Sequence, residues 1–247
     1  MTLLQGKVAV ITGGARGLGS AIATSMAAEG AHIVVVDRNT EAATELVGQI
    51  QTSGGSAASE PLDISDRDAV SAFGKKMLDQ HERIDVLVNN AGIAPRIRPH
   101  HPDQMQQWDH VVSVNLTAQW DMTVALLPGL KRPGASVIFL SSIAGFTAPR
   151  SSAAYGATKA GVRSLVQYFA RDLGPTGGRA NGLAPGRMKS DLMTVTGEAG
   201  DKFIQRLPLG RVGETHEIAG PAVFLASDMS SYVTGVTIPV DGGYLAL

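Results

Sequence analysis

Short apolar runs rich in β-branched residues recur along the chain, and longer stretches with helical spacing separate them. Each run has the length of a strand, and three are continuously apolar, which is typical of strands buried on both faces of a parallel sheet. Two of the runs, near residues 57–62 and 179–184, are weaker than the others. The runs lie at Val8–Thr12, His32–Asp37, Ala57–Leu62, Asp85–Asn89, Ser136–Ser142, Arg179–Ala184 and Val236–Val240.

The stretches between these runs carry apolar residues at intervals of three and four, as amphipathic helices do. Ser65 and Asp66 precede one of them as candidate N-caps. The predicted helices are Gly19–Glu29, Ser65–Asp79, Gln104–Leu127, Ser152–Leu173 and Glu214–Leu225. Alternating strands and helices predict an α/β fold, doubly wound, with a mostly parallel seven-stranded sheet and helices on both faces.

Composition narrows the class of protein further. The 247 residues allow one large domain or two small ones, and no repeat, low-complexity tract or linker divides residues 1–247. We therefore expect a single domain. A net charge of −1 without a basic block disfavours nucleic-acid binding. The absence of cysteine excludes disulfides, thiolate metal sites and cysteine nucleophiles. The apolar runs are too short to span a bilayer and no signal peptide is recognised, so a cytoplasmic protein is expected.

The first run leads through a glycine-rich turn into the first predicted helix. Thr12-Gly13-Gly14-Ala15-Arg16-Gly17-Leu18-Gly19 would bring backbone N–H groups and a helix N-terminus close to a pyrophosphate. Three residues separate Gly13 from Gly17, a departure from the G-x-G-x-x-G spacing, and glycines alone would equally suit an ordinary turn. Asp37 closes the second run twenty residues after Gly17, where an acid binds the adenosine ribose. The combination predicts a Rossmann-like dinucleotide-binding domain.

Asp37 also bears on the choice of cofactor. Its carboxylate would accept hydrogen bonds from the ribose hydroxyls of NAD. It would repel a 2′-phosphate by about 4 kcal/mol per charge pair at 4 Å and an effective dielectric of 20. Arg16 or Arg38 could instead pair with that phosphate and so favour NADP. Both could equally be solvated, or stack on the adenine. We expect NAD(H) to bind in preference to NADP(H).

A tyrosine and a lysine form the candidate catalytic pair. Tyr155 and Lys159 lie four residues apart, on one face of a predicted helix. An ammonium beside a phenol favours the phenolate, so we expect Lys159 to lower the pKa of Tyr155. Such a phenol exchanges a proton with a substrate oxygen while hydride moves at carbon. Ser142 ends the fifth run and Asn89-Asn90-Ala91-Gly92 ends the fourth, which places both at the ligand-binding edge of the sheet.

Together these motifs resemble the short-chain dehydrogenase/reductase family in its single-domain form, from Gly6 to the C-terminus. The glycine motif, Asn89-Asn90-Ala91-Gly92, and Ser142, Tyr155 and Lys159 in that order carry the resemblance. Further matching segments are Trp108-Asp109, Val114-Asn115-Leu116, Pro185-Gly186 and Asp241-Gly242-Gly243.

The resemblance implies a role for each catalytic residue. Tyr155 would be the general acid/base, and Ser142 would orient and polarise the carbonyl. Lys159 would hold the nicotinamide ribose as well as lower the tyrosine pKa. Asn115 would support a water that links Lys159 to solvent. It also implies a homotetramer, with helices Gln104–Leu127 and Ser152–Leu173 at one interface and Val236–Leu247 at another.

The expected cofactor contacts run from the glycine motif to the Pro185-Gly186 turn. Asp63 would contact the adenine, Asn90 would lie along the cofactor, and the backbone of Pro185–Met188 would lie against the nicotinamide. The full predicted set is Gly13, Arg16, Gly17, Leu18, Gly19, Asp37, Arg38, Asp63, Ile64, Asn90, Ala91, Gly92, Tyr155, Lys159, Pro185, Gly186, Met188 and Ser190.

Two stretches have the character of substrate-pocket loops, Ile93–His101 and Lys189–Pro208, and we expect residues 189–208 to form a lid. Arg187 or Arg96 is expected to recognise an anionic or polar group of the substrate. The candidate substrate contacts are Ile93, Ala94, Arg96, Ile143, Ala144, Phe146, Arg187, Leu192 and Met193. His100, His101 and His110 lack further ligands at zinc spacing, so no metal site is predicted.

The leading hypothesis is an NAD(H)-dependent oxidoreductase that interconverts a secondary alcohol and a ketone of small-molecule size. One alternative is a 3-oxoacyl-thioester reductase, for which Lys131, Arg132 and Arg171 would dock an acidic carrier protein. Asp37 counts against it, because such reductases usually draw on NADPH. Another alternative is a dinucleotide-binding scaffold without catalysis, and the intact Asn115, Ser142, Tyr155 and Lys159 set counts against that.

Overall fold

The computed structural model describes residues 2–95, 101–148, 152–189 and 202–246. Its strands form one seven-stranded sheet in the order β3-β2-β1-β4-β5-β6-β7, with every neighbouring pair parallel. The strands are β1 (Val8–Thr12), β2 (His32–Asp37), β3 (Ser56–Pro61), β4 (Val86–Asn89), β5 (Ser136–Leu140), β6 (Arg179–Pro185) and β7 (Thr237–Val240). This architecture confirms the predicted doubly wound α/β fold.

Helices cover both faces of the sheet, and side-chain caps fix the start of three of them. Asn39, Asp66 and Ser152 each accept a hydrogen bond from the backbone N–H three residues later, at 3.0, 3.0 and 3.2 Å. The described helices are α1 (Gly17–Ala28), α2 (Thr40–Thr52), α3 (Arg67–Gln80), α4 (Gln104–Val112), α5 (Ala118–Leu130), α6 (Ala153–Leu173) and α7 (Ala219–Ala226).

The core lies in two layers, one on each side of the sheet. On one side α1, α2 and α7 pack small residues such as Ala23 and Ala222 against the strands. On the other side α3, α5 and α6 contribute larger residues such as Phe73, Met122 and Phe169. The central strands β1, β4 and β5 are almost wholly buried, as their continuous apolar runs predict.

Local features differ from the sequence-based predictions, and the predicted helix Glu214–Leu225 begins as a 3₁₀ turn, Thr215–Ile218, before α7. Helix α2 was not predicted, although Asn39 caps it and its buried residues recur at helical spacing. The predicted helix 104–127 is interrupted by a π-helical turn, Ser113–Thr117, which carries Asn115. Strand β5 ends at Leu140, so Ser142 lies just beyond the strand and opens a short 3₁₀ turn, Ile143–Gly145.

The strand order reverses direction between β1 and β4. From β1 the chain builds outward to β2 and β3, and from β4 outward to β7. The carboxyl ends of β1 and β4 therefore border a crevice, and open α/β sheets bind their ligands there.

Candidate active site

The glycine-rich turn after β1 has the backbone geometry that a phosphate-binding loop requires. Gly13 and Gly17 both have φ of +59°, a conformation that favours glycine. A Cβ on Gly19 would lie 2.1 Å from the Gly13 carbonyl oxygen, so only glycine fits there. Helix α1 begins at Gly17 without a side-chain cap, so no capping side chain engages its first backbone N–H groups. This end of α1 is therefore suited to an anion.

Asp37 lies beside the glycine turn, at the end of β2. One carboxylate oxygen accepts a hydrogen bond from the backbone N–H of Ala15 at 3.1 Å, and the other accepts from the N–H of Asn39 at 2.9 Å. Arg16 and Arg38 are both exposed. The ends of neighbouring parallel strands predict that Asp37 and the glycine turn are close, but the hydrogen bond from Ala15 to Asp37 is seen only in the structure.

Asn90 ties the end of β4 to the glycine turn. Its side-chain amide donates to the carbonyl oxygens of Thr12 and Gly13 at 3.0 and 2.8 Å. Its backbone N–H donates to the Thr12 hydroxyl at 3.1 Å. Asn90 therefore fixes the shape of the crevice by joining its two walls.

A cavity of about 200 Å³ opens at this edge of the sheet. It brings together residues predicted from four separate motifs: the glycine turn, the Asn-Asn-Ala-Gly segment, the serine–tyrosine–lysine set and the Pro-Gly turn. Its walls are formed by Leu18, Asn90, Gly92, Ile93, Ala94, Leu140, Ser141, Ser142, Tyr155, Lys159, Pro185, Gly186 and Met188. Leu140 and Ser141 are wall residues absent from the sequence-based predictions, although both directly precede Ser142 at the end of β5.

Tyr155 and Ser142 lie side by side in the wall of this cavity. Ser152 caps α6 by accepting from the N–H of Tyr155 at 3.2 Å, which places the phenol in the first turn of that helix. Burial raises the pKa of Tyr155 above its ordinary value of 10.0, and the hydrogen bond to Ser142 acts in the opposite direction. The expected lowering of this pKa by Lys159 is therefore wrong for the chain by itself, because burial outweighs the neighbouring groups.

Lys159 lies one turn further along α6, with Nζ 5.7 Å from the centroid of the Tyr155 ring. Nζ donates to the Leu140 carbonyl oxygen at 2.7 Å, and the residue is only 4% exposed. Burial lowers the pKa of Lys159 to about 8. The amine is thus largely protonated at neutral pH, although burial makes its charged form less favourable than in water.

Asn115 is fully buried behind the cavity in the π-helical turn. Its side-chain oxygen accepts from the N–H of Ile93 at 2.8 Å, and its amide donates to the Ile93 carbonyl at 2.8 Å. A Cβ on Gly92 would lie 3.2 Å from the Asn115 oxygen and 3.5 Å from Lys159 Nζ. Asn115 therefore holds the cavity wall at Ile93 next to the lysine, and its role in a water relay stays a prediction.

Several predicted contacts lie away from the cavity wall. The Phe146 ring stacks on the guanidinium of Arg163 at 3.6 Å. The guanidinium of Arg187 lies 5.0 Å from the Phe203 ring centroid. Neither residue lines the cavity described here, so their contact with a substrate stays a prediction. Ile143 and Ala144 belong to the 3₁₀ turn and do not line it either.

The remaining predicted cofactor residues are distributed along the same edge of the sheet. Asp63 accepts two hydrogen bonds from Ser65, at 2.9 Å from its N–H and 2.6 Å from its hydroxyl, which lower the carboxyl pKa. Ile64 is buried, and Ala91 donates its N–H to the Thr12 hydroxyl at 3.2 Å. Arg96, Ser190, Leu192, Met193 and most of the segment 189–208 lie outside the described residues.

Two further properties follow from the described parts of the chain. Within them no group of three or more histidine or acidic side chains is arranged to hold a metal ion. None of the helices described is long and apolar enough to cross a membrane.

Comparison with known proteins identifies relatives along nearly the whole chain. Residues 13–245 match a family model described as enoyl-(acyl carrier protein) reductase. A 3-oxoacyl-[acyl-carrier-protein] reductase of Thermotoga maritima is 37% identical, over 97% of this chain and 98% of its own. A D-threitol dehydrogenase of Mycolicibacterium smegmatis is 35% identical, over 98% of this chain and 94% of its own.

A solved structure shares the fold closely. It is described as a candidate NAD(P)-dependent gluconate 5-dehydrogenase from Beutenbergia cavernae with bound NADP. It superposes with a TM-score of 0.93 at 34% identity, and covers 99% of this chain and 98% of its own.

Proposed function

Because the chain belongs to the short-chain dehydrogenase/reductase family, we propose that this oxidoreductase interconverts a secondary alcohol and a ketone with NAD(H). The observation that carries the proposal is the position of the Tyr155 hydroxyl. It lies in the cavity beside Ser142 and one helical turn from Lys159, at the carboxyl edge where the glycine turn begins. The D-threitol dehydrogenase relative supports an alcohol substrate.

The residues present fit a nicotinamide dinucleotide. The N-terminus of α1 and the positive-φ glycines suit a pyrophosphate, and Gly19 has no room for a side chain where a cofactor approaches closely. Gly92, Pro185, Gly186 and Met188 would then flank the nicotinamide in the cavity. When bound, the cofactor supplies or accepts the hydride.

The side chains of the cavity perform the proton transfer. Ser142 would donate a hydrogen bond to the substrate oxygen and hold it beside Tyr155. In the reduction direction Tyr155 gives its proton to that oxygen, and in the oxidation direction it takes one back. Lys159, whose Nζ donates to the Leu140 carbonyl, would hold the nicotinamide ribose. Asn115 keeps the Ile93 wall in place.

We infer a preference for NAD(H) from Asp37, and this preference has a direct test. The wild-type chain is expected to bind NADH at least about tenfold more tightly than NADPH, because the carboxylate repels a 2′-phosphate. Asp37→Asn keeps an oxygen that can accept from Ala15 but removes the charge, so the ratio should fall about tenfold. Fluorescence titration with both cofactors measures it.

Glu41→Gln is the matched control, because Glu41 is an exposed acid in the first turn of the neighbouring helix α2. It should leave the ratio unchanged. Equal affinities of the wild-type chain for NADH and NADPH would refute the inferred preference. The NADP in the gluconate 5-dehydrogenase structure makes this comparison necessary.

A 3-oxoacyl-thioester reductase is the second candidate, and the Thermotoga maritima relative favours it. Two of the three cations expected to dock a carrier protein are already paired. Lys131 binds Asp172 at 3.2 Å, and Arg132 binds the buried carboxylate of Asp85. A substrate panel that includes a 3-oxoacyl thioester separates the two candidates. A scaffold without catalysis would turn over none of the panel.

Exposed aromatic side chains on α4, α5 and α6 support a homotetramer. Trp108, Trp120 and Tyr168 are 40%, 36% and 54% exposed, and Val236, near the C-terminus, is 43% exposed. Buried in a subunit interface, these side chains would each contribute apolar area. Light scattering on the eluted protein should give a mass of about 103 kDa, four times the 25.7 kDa of the chain. A mass near that of one chain would contradict the tetramer.

A further inference from the structure

The turn that follows Ser142 is held against helix α6 by Arg163. The guanidinium carbon of Arg163 lies 3.6 Å from the centroid of the Phe146 ring, which is a stacking distance. One of its terminal nitrogens donates to the Gly145 carbonyl oxygen at 2.9 Å. Arg163 stands four residues after Lys159, so one helical turn separates this contact from the buried amine.

The geometry of Arg163 indicates that stacking fixes its position. Its Nε is buried and has no hydrogen-bond partner among the described residues. Leaving a charged donor without a partner costs free energy. The stacked ring and the Gly145 carbonyl must offset that cost, since no ion pair involving Arg163 exists in the described part of the chain.

The same turn packs on the backbone of α6 beside the catalytic lysine. Ser141 donates its hydroxyl to the Lys159 carbonyl oxygen at 2.8 Å. A Cβ on Gly145 would lie 2.7 Å from that same oxygen, so the turn approaches the helix at a distance that only glycine permits. Arg163 and Ser141 thus attach the two ends of the turn to one segment of α6.

Ser142 takes its orientation from this turn. Its hydroxyl oxygen accepts from the N–H of Ala144 at 3.1 Å, and its carbonyl accepts from the N–H of Gly145 at 2.9 Å. With its oxygen engaged by Ala144, the hydroxyl can direct its hydrogen at Tyr155. A shift of Gly145 would carry Ala144 with it and turn the serine hydroxyl away from the phenol.

We propose that Arg163 and Phe146 form a clamp that positions the Ser142 hydroxyl against Tyr155, so that both act as positioning residues for the acid/base step. The inference rests on the proposed function for the role of Tyr155. Phe146 is 38% exposed, so its ring is not needed to fill the core. Its contact with Arg163 explains why a large aromatic residue lies near the cavity without lining it.

The clamp is tested by two disrupting variants, Arg163→Met and Phe146→Leu. Phe146→Tyr keeps the stacked ring, and Lys75→Met makes the same change as Arg163→Met at an exposed cation of α3. One readout is the pH profile of kcat for alcohol oxidation. The other is NMR of protein labelled with ¹³C at tyrosine Cζ, recorded with and without NAD, with the Tyr155 signal assigned from Tyr155→Phe.

In the disrupting variants kcat should fall about tenfold, while the NADH dissociation constant stays within about twofold. The pH midpoint of oxidation and the titration of the Tyr155 signal should both move up by about half a unit, because Ser142 no longer stabilises the phenolate. Phe146→Tyr and Lys75→Met should match the wild type in both readouts.

An unchanged Tyr155 titration in Phe146→Leu would overturn the clamp, even if kcat fell. If Arg163→Met fails to fold, the Tyr155 titration in Phe146→Leu is sufficient to test the clamp. Absence of turnover in the wild-type chain would contradict the proposed function, whereas the NMR titration would still decide the clamp. The two failures are therefore distinguishable.

Discussion

Replacing Tyr155 with phenylalanine is expected to lower kcat about a thousandfold and to leave NADH binding within about twofold of the wild type. The substitution removes only the hydroxyl, so the ring still occupies the first turn of α6. Without the hydroxyl no group beside Ser142 can give a proton to the substrate oxygen or take one from it. Steady-state kinetics in both directions, with NADH titration, measure the effect.

Tyr232→Phe provides the matched control for this prediction. Tyr232 is fully exposed, so losing its hydroxyl should change neither kcat nor stability. The Tyr155→Phe variant should unfold at a temperature close to that of the wild type, which separates loss of chemistry from loss of structure. Wild-type rates in Tyr155→Phe would remove Tyr155 from the acid/base role.

Replacing Lys159 with methionine should abolish most turnover and stabilise the chain at neutral pH. The buried amine has a pKa of about 8 in the folded chain against 10.5 for an ordinary lysine. At neutral pH the folded chain therefore carries a cost for keeping the amine protonated, of about 3 kcal/mol at 1.36 kcal/mol per unit. Leaving the Leu140 carbonyl without its donor offsets part of the gain. We expect a net gain of about 1–2 kcal/mol in the free energy of unfolding.

The pH dependence of that gain identifies its cause. Between about pH 8 and 10.5 the unfolded chain holds more protons on Lys159 than the folded chain, so the stability of the wild type rises with pH there. The advantage of Lys159→Met should be complete below pH 8 and shrink as the pH rises above it. Denaturant unfolding of both proteins between pH 7 and 10 measures the difference. A gain that is constant over this range would contradict the account.

Much of the fold follows from the sequence because buried parallel strands leave a strong pattern. Val8–Thr12 and His32–Asp37 occur in the structure with the predicted bounds. Helix α2 is absent from the sequence-based predictions, although its buried residues Ala42, Ala43, Leu46 and Ile50 recur at helical spacing behind the Asn39 cap. The π-helical turn at Ser113–Thr117 escaped prediction because hydrophobic spacing does not distinguish one wider turn inside a long helix.

The candidate site was predictable where chain order implies proximity, and less so where it depends on side-chain direction. Tyr155 and Lys159 lie on one helix face because four residues separate them, and Ser142 meets them because strand ends share an edge. Phe146 was expected in the cavity wall but turns to Arg163, a partner four residues beyond Lys159. The predicted direction of the Tyr155 pKa shift is wrong, and the reason is related. Spacing shows a neighbouring charge, whereas only the structure shows how far the hydroxyl is removed from water.

The most direct test of the central claim follows the absorbance of NADH while the chain acts on a panel of secondary alcohols and ketones. Each compound is paired with NAD(H) and with NADP(H), and Tyr155→Phe is run beside the wild type. We predict turnover of at least one alcohol–ketone pair, faster with NAD(H), and its loss in Tyr155→Phe. Turnover that persists at the wild-type rate in Tyr155→Phe, or no turnover of any pair by a wild-type chain that binds NADH, would contradict the claim.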